Sequence, residues 1–123
     1  MIHEEFEKEA MNKLLNGDLR ILKYLKEQYI KSEVSSRDLT GCGFFTKYKI
    51  PEEMVYMKIK GRVDDVKGKI INKYGEYLFF ILYIENGKID TLECFTTLDN
   101  WDYDYDNVEI EYCYDNERKI DLE

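Results

Sequence analysis

The sequence predicts an α+β fold: a helical hairpin at the start, packed on a curved, mostly antiparallel, half-barrel-like sheet of six to eight strands. Three observations predict it. Apolar residues recur at helical spacing only as far as residue 31. After Ser32 they alternate instead, in short runs broken by glycine and proline. The apolar run over 76–85 is then followed at once by Asn86-Gly87, the strongest short-range signal for a two-residue hairpin turn.

The first helix is predicted over 4–15, with Phe6, Ala10, Met11 and Leu14 on one face. Asn16-Gly17 tolerates the left-handed backbone of a helix end. Asp18 is placed to cap a second helix over 19–31, whose buried stripe is Ile21, Leu22, Leu25 and Tyr29. Strands are predicted over 34–39, 44–50 and 54–60, then one or two short ones within 61–73, broken by Gly68. Pro51 ends the second of these, because proline has no N–H for a sheet ladder. The continuous run at 76–85 predicts a strand covered on both faces, and 88–97 its return. In the last strand, 108–114, Val108, Ile110, Tyr112 and Tyr114 face the core, and Glu109, Glu111 and Cys113 face away. No repeat, linker or low-complexity stretch divides the chain, so 1–123 reads as a single domain.

The formal net charge is −8, and it is unevenly placed. Residues 99–123 hold ten acids against only Arg118 and Lys119, while the rest of the chain is balanced. That field repels nucleic-acid phosphates and anionic membranes, so neither is an expected partner, and it attracts a basic protein. No segment is long and apolar enough for a signal peptide or a membrane span. Cys42, Cys94 and Cys113 are odd in number and widely spaced, which predicts free thiols in a reducing cytoplasm.

The segment Thr40-Gly41-Cys42-Gly43-Phe44 admits a phosphate loop or a cysteine nucleophile. The first lacks a following helix and a Lys-Ser/Thr pair, and the second lacks a base other than His3, so a hairpin turn is preferred. Asn100, Asp102 and Asp104 with Glu111 match part of a calcium loop, but Tyr105 stands where the sharp turn needs glycine. The three cysteines and His3 have no close metal-ligand spacing, so no metal or other cofactor is expected. Trp101, Asp102, Tyr103, Asp104, Tyr105 and Asp106 form the leading candidate site, a protein-binding patch in which carboxylates steer a basic partner onto aromatic residues. Against it stands a solvated acidic loop with Trp101 closing the core. Arg37 and Glu93 are charges within predicted strands. Paired on the concave face, they are the candidate anchor for a small ligand.

Arg37-Asp38-Leu39-Thr40-Gly41-Cys42-Gly43-Phe44-Phe45-Thr46 and Pro51 resemble a segment recurring in a group of small uncharacterised bacterial proteins. The matching pieces continue through Tyr77-Leu78-Phe79-Phe80-Ile81, Asn86-Gly87, Leu92-Glu93-Cys94-Phe95-Thr96 and Trp101. Cys94 stands where that pattern has glycine, and Asp102 where it has proline. The resemblance implies the fold and carries no activity.

Together these features predict a non-catalytic cytoplasmic binding module, in its most specific form an acidic, immunity-type protein that neutralises a basic partner. The alternative is a small-ligand-binding protein using the concave sheet face. An enzyme using Cys42 or a carboxylate pair ranks last, and a homo-oligomer is compatible with any of these.

Overall fold

Two amphipathic helices open the chain. In the computed structural model, which describes residues 1–98, 100–115 and 117–123, α1 spans His3–Leu14 and α2 spans Arg20–Lys31. Phe6, Ala10, Met11 and Leu14 of α1 are all fully buried, at the spacing the sequence predicts. Glu4 and Glu5 sit in the first turn of α1 and Lys13 in the last, each at the favourable end of the helix dipole. Asp18 is not the cap expected for α2. Leu19 holds that position with no side-chain cap, so burial of Leu22, Tyr24, Leu25 and Gln28 holds this helix in place.

Seven strands follow among the described residues: β1 (Glu33–Leu39), β2 (Gly43–Lys49), β3 (Gly61–Ile70), β4 (Tyr77–Glu85), β5 (Lys88–Thr96), β6 (Val108–Tyr112) and β7 (Ile120–Leu122). They form one antiparallel sheet in the order β1-β2-β5-β4-β3-β6, with β7 also on β3. The sheet is open, and both helices lie on one face of it. Their buried residues join Phe44, Phe80, Leu82, Ile84 and Leu92 in one hydrophobic cluster.

The β4–β5 hairpin is the centre of that sheet. Glu85 pairs with Lys88 across a two-residue turn in which Asn86 has φ 51 and Gly87 φ 76, the left-handed pair such a turn requires. Only glycine fits at 87, because a Cβ there would lie 2.1 Å from the Met57 carbonyl oxygen. The turn is clamped from α2. Tyr24 Oη and Gln28 Nε2 both donate to the Gly87 carbonyl, and the Ile89 N–H donates to Gln28 Oε1 at 3.0 Å. A fully buried glutamine is thereby satisfied at both ends of its amide.

β3 is one strand where the sequence predicts one or two broken at Gly68. Gly68 lies inside it, beneath Val108 of β6. Its irregularity lies instead between Val63 and Val66, where a bulge turns Asp65 into the core. The same edge of β3 pairs with β6 on one side of the bulge and β7 on the other. Asp65 fastens the connection between them. It accepts from Arg118 Nε at 2.7 Å, Arg118 Nη2 at 2.9 Å and the Lys119 N–H at 3.0 Å. Arg118 also donates to the carbonyls of Leu14 and Asn16, tying the end of the chain to the end of α1.

Three further expectations are corrected. Residues 54–60 do not join the sheet as a strand: Met54 ends a short 3-10 turn, and 55–60 run alongside it without ladder pairing. Strand β4 is covered on one face only; Leu78, Phe80, Leu82 and Ile84 are buried, whereas Tyr77, Phe79, Ile81 and Tyr83 remain half-exposed. Tyr114 lies beyond β6 and is exposed, while Val108, Ile110 and Tyr112 do pack on the core.

Candidate functional site

The loop 100–107 crosses one end of the sheet and packs on α1. Trp101 is only 3% exposed, with its ring 6.0 Å from that of Phe6 and 4.7 Å from that of Tyr103. Tyr103 takes a left-handed φ of 58, unusual for a bulky residue, and two hydrogen bonds of its hydroxyl fix it there. The Gly41 N–H donates to Tyr103 Oη at 2.7 Å, and Tyr103 Oη donates to the Gly43 carbonyl at 2.8 Å. Tyr105 stacks on Phe6 at 4.7 Å, and burial pushes its hydroxyl pKa up to about 12. The aromatic half of the predicted patch is therefore core.

The carboxylates of the loop have partners of their own. Asp102 accepts from the Asp104 N–H, Asp104 from Asn107 Nδ2, and Asp106 from the N-terminal ammonium at 2.8 Å. Glu111, the last position of the calcium-loop alignment, sits in β6 opposite Lys67. Among the described residues, no group of three or more His, Cys, Asp or Glu side chains is arranged to hold a metal.

Arg37 and Glu93 are not brought together. Arg37 pairs in register with buried Thr46, so it points to the helix side, whereas Glu93 lies opposite Phe45 on the other face. There Glu93 accepts from Tyr83 Oη at 2.8 Å. Arg37 instead grips Glu7 of α1 with Nε and Nη2, both at 3.0 Å.

Glu7 is a residue the sequence reading missed. Its helical position among Phe6, Ala10 and Met11 was the available signal, since a carboxylate beside the apolar stripe is a candidate for a paired buried charge. It also accepts from Thr46 Oγ1 at 2.6 Å, Tyr48 Oη at 3.4 Å and His3 Nε2 at 3.1 Å. A carboxylate only accepts, so His3 Nε2 carries the proton; in the neutral ring Nδ1 then accepts from Tyr105 Oη at 2.6 Å. Burial opposes ionisation of Glu7. The hydrogen bonds from His3, Arg37 and Thr46, with the Arg37 charge, overcome it and hold the pKa down at about 2. A cleft of about 410 Å³ opens beside this centre, walled by Arg37, Tyr48, Tyr29 and Lys26.

The cysteines are unpaired. Cys42 is half-buried in the β1–β2 turn, Cys113 half-buried after β6, and Cys94 buried, where desolvation pushes its thiol pKa well up.

The helix-free face of the sheet carries the other concentration of side chains. Phe79 and Phe95 are cross-strand partners with rings 5.6 Å apart. Ile81 lies opposite Glu93, which lies opposite Phe45, 37% exposed. Tyr77 and Tyr83 extend the row along β4. Charges of both signs border it: Lys67 and Lys69 face Glu111 and Glu109 across the β3–β6 ladder, and Arg62 pairs with Asp64. Comparison with protein-family models, curated proteins and solved structures finds no match to this chain.

Proposed function

We propose that this protein is a non-catalytic binding module, and that a basic protein docks on the helix-free face of the sheet. The observation that carries the reading is the row Tyr77, Phe79, Ile81 and Tyr83, flanked by Phe45 and Phe95. This apolar face is left half-exposed, with no helix over it. Contiguous apolar surface with a charged rim is the usual composition of a protein-binding site. The net charge of −8 selects the partner's sign, because complementary fields speed encounter. Immunity-type neutralisation of a basic protein is the most specific form of this reading. It includes a reducing compartment such as the cytoplasm, which three unpaired thiols suit.

The buried polar groups support binding over catalysis. Glu7 is held ionised by donors on both oxygens, far from the pKa near neutrality that a general acid or base needs. Cys94 is buried with its thiol pKa raised, the opposite of an activated nucleophile. The small-ligand alternative has the cleft beside Arg37 in its favour, but Arg37 and Glu7 already use their hydrogen bonds on each other.

The test is capture from native lysate by the wild-type chain and by the double variant Phe79→Asp, Phe95→Asp, with thermal melting of both. The expected result is one basic protein retained by the wild type, lost from the variant and weakened by salt, with melting little changed. A retained protein that the variant captures equally well overturns the surface. Sedimentation showing a stable wild-type dimer that the variant abolishes assigns the face to a second copy of the chain.

A further inference from the structure

One carboxylate stands inside the apolar row of the helix-free face. On the rung through it Asp38, Phe45, Glu93 and Ile81 lie side by side across β1, β2, β5 and β4. The next rung on this face carries Phe95 and Phe79, with rings 5.6 Å apart. Residues two apart on a strand share a face, so Glu93 has a phenylalanine beside it on β2, another along β5 and Ile81 beside it on β4. Its side chain is half-buried and held in one orientation, because Tyr83 Oη donates to Oε1 at 2.8 Å. Burial, and then that hydrogen bond, push the Tyr83 hydroxyl pKa up, so the hydroxyl stays a donor. A carboxylate has about four acceptor sites, and the tyrosine uses one. The bases of this face are directed elsewhere. Lys67 Nζ lies over the Tyr77 ring at 4.7 Å, and Arg62 pairs with Asp64 and, at 3.9 Å, with Asp121. Lys47, opposite Thr91 on the rung beyond Glu93, is exposed. Among the described residues none of them, and no other cation, pairs with Glu93.

We propose that Glu93 is the receptor for one arginine side chain of the docking protein, which forks onto the carboxylate and lies flat against Phe45 and Phe95. This rests on the docking reading for its occupant and adds the residue that selects it. A partner that covers the apolar row strips water from Glu93 together with its neighbours. An ionised carboxylate sealed there without a cation opposes docking, so a partner that binds must bring one. Arginine suits the place better than lysine. Its planar guanidinium presents parallel N–H groups to the two oxygens, stacks on aromatic rings and sheds water more readily than an ammonium. Arginine held between a carboxylate and aromatic rings is also a frequent anchor of protein interfaces. The apolar row then supplies area, and Glu93 supplies selectivity.

The probe is an end-capped leucine-arginine-leucine tripeptide, titrated into the full chain at low salt while NMR shifts are followed residue by residue. Shifts are expected to centre on Phe45, Glu93 and Phe95. Glu93→Gln keeps an acceptor for Tyr83 Oη and removes the charge, and it is expected to weaken the peptide by about tenfold with the melting temperature unchanged. Glu27→Gln removes the same charge from an exposed position on α2 and is expected to change binding by less than about twofold. The lysine tripeptide should bind several-fold more weakly, and the neutral citrulline tripeptide should not bind. Shifts spread over the acidic surface, equal losses in Glu93→Gln and Glu27→Gln, or equal binding of the arginine and lysine peptides would each overturn the proposal. Lysate capture by Glu93→Gln separates it from the docking reading. A protein lost from the Phe79→Asp, Phe95→Asp variant but held fully by Glu93→Gln keeps the docking face and removes its anchor. A protein that the double variant also holds removes the docking face, and the tripeptide then decides the arginine site alone.

Discussion

The two faces of β4 share one strand and one hydrophobic composition, yet they meet different surroundings. Leu78, Phe80, Leu82 and Ile84 lie under α1 and α2 with no measurable exposure, packed with Phe6, Leu14 and Leu25. Tyr77, Phe79, Ile81 and Tyr83 have neighbouring strands beside them and, among the described residues, no helix over them. Burial accounts for the apolar character of the first set, since each large side chain removed from water stabilises by about 1.5–3 kcal/mol. The second set gains much less from folding, and so its composition points to what the face meets. The same strand thus separates residues that make the fold from residues available for binding.

The largest effect expected from this comparison is on the covered face. Phe80→Ala should cost about 3–5 kcal/mol in a denaturant titration, through lost transfer energy and the cavity left under Phe6. A loss near 1 kcal/mol would mean that the helices do not seal this face. Glu7→Gln ranks next. It leaves Arg37 without its bidentate partner, but Arg37 is partly exposed and water softens the loss to about 2–3 kcal/mol. The sign of the pH dependence follows from a folded pKa of about 2 against an ordinary value of 4.5. The Glu7 contribution is fully present above the ordinary value and is lost as pH falls through the folded one. The stability gap between wild type and Glu7→Gln should therefore narrow as pH is lowered from about 5 to about 2. A gap independent of pH would show that the ionised carboxylate contributes no net stability.

Asp65→Asn is expected to cost about 1–2 kcal/mol, because the bulge keeps its shape while Arg118 loses a charge-assisted acceptor. Hydrogen exchange at Cys113 and Lys119 should rise first, since both amides bond at the bulge. Exchange that rises uniformly through β4 and β5 instead would make Asp65 part of the global core rather than a local fastener.

Much of this architecture was legible because local chemistry and tertiary packing agree. The α1 stripe, the Asn86-Gly87 turn and the alternation at Val108, Ile110 and Tyr112 each follow from spacing alone, whereas in α2 Tyr24 and Gln28 are buried in place of the expected Ile21 and Tyr29. What was not legible depends on partners distant in sequence. Glu7, Thr46 and Tyr48 converge across |i−j| separations of 39 and 41, and no local pattern announces that a helical glutamate will meet an arginine from β1. Residues 54–60 alternate as a strand should, yet both edges of β3 are taken, by β4 on one side and by β6 and β7 on the other. At the candidate site the sequence placed aromatics and acids together in 101–106. Trp101 closing the core was the competing reading, and that is where it lies; the sequence carried no signal that Tyr105 would also turn inward onto Phe6.

The smallest expected effect sharpens the comparison most. Phe79 and Phe95 lie directly opposite on the uncovered face, with rings 5.6 Å apart at an interplanar angle of 37°. Cross-strand aromatic pairs contribute about 0.5–1 kcal/mol beyond their separate burial, and a half-exposed pair belongs at the lower end. A double-mutant cycle with Phe79→Ser and Phe95→Ser should return a coupling of that order. Each single loss should stay near 1 kcal/mol, well below that of Phe80→Ala. Such values would describe a face that tolerates polar substitution in the free protein and is therefore open to selection for binding. Single losses matching that of Phe80→Ala would mean that the sheet relies on both faces equally. The aromatic row would then be a second layer of core, and the proposed docking surface would lose its basis.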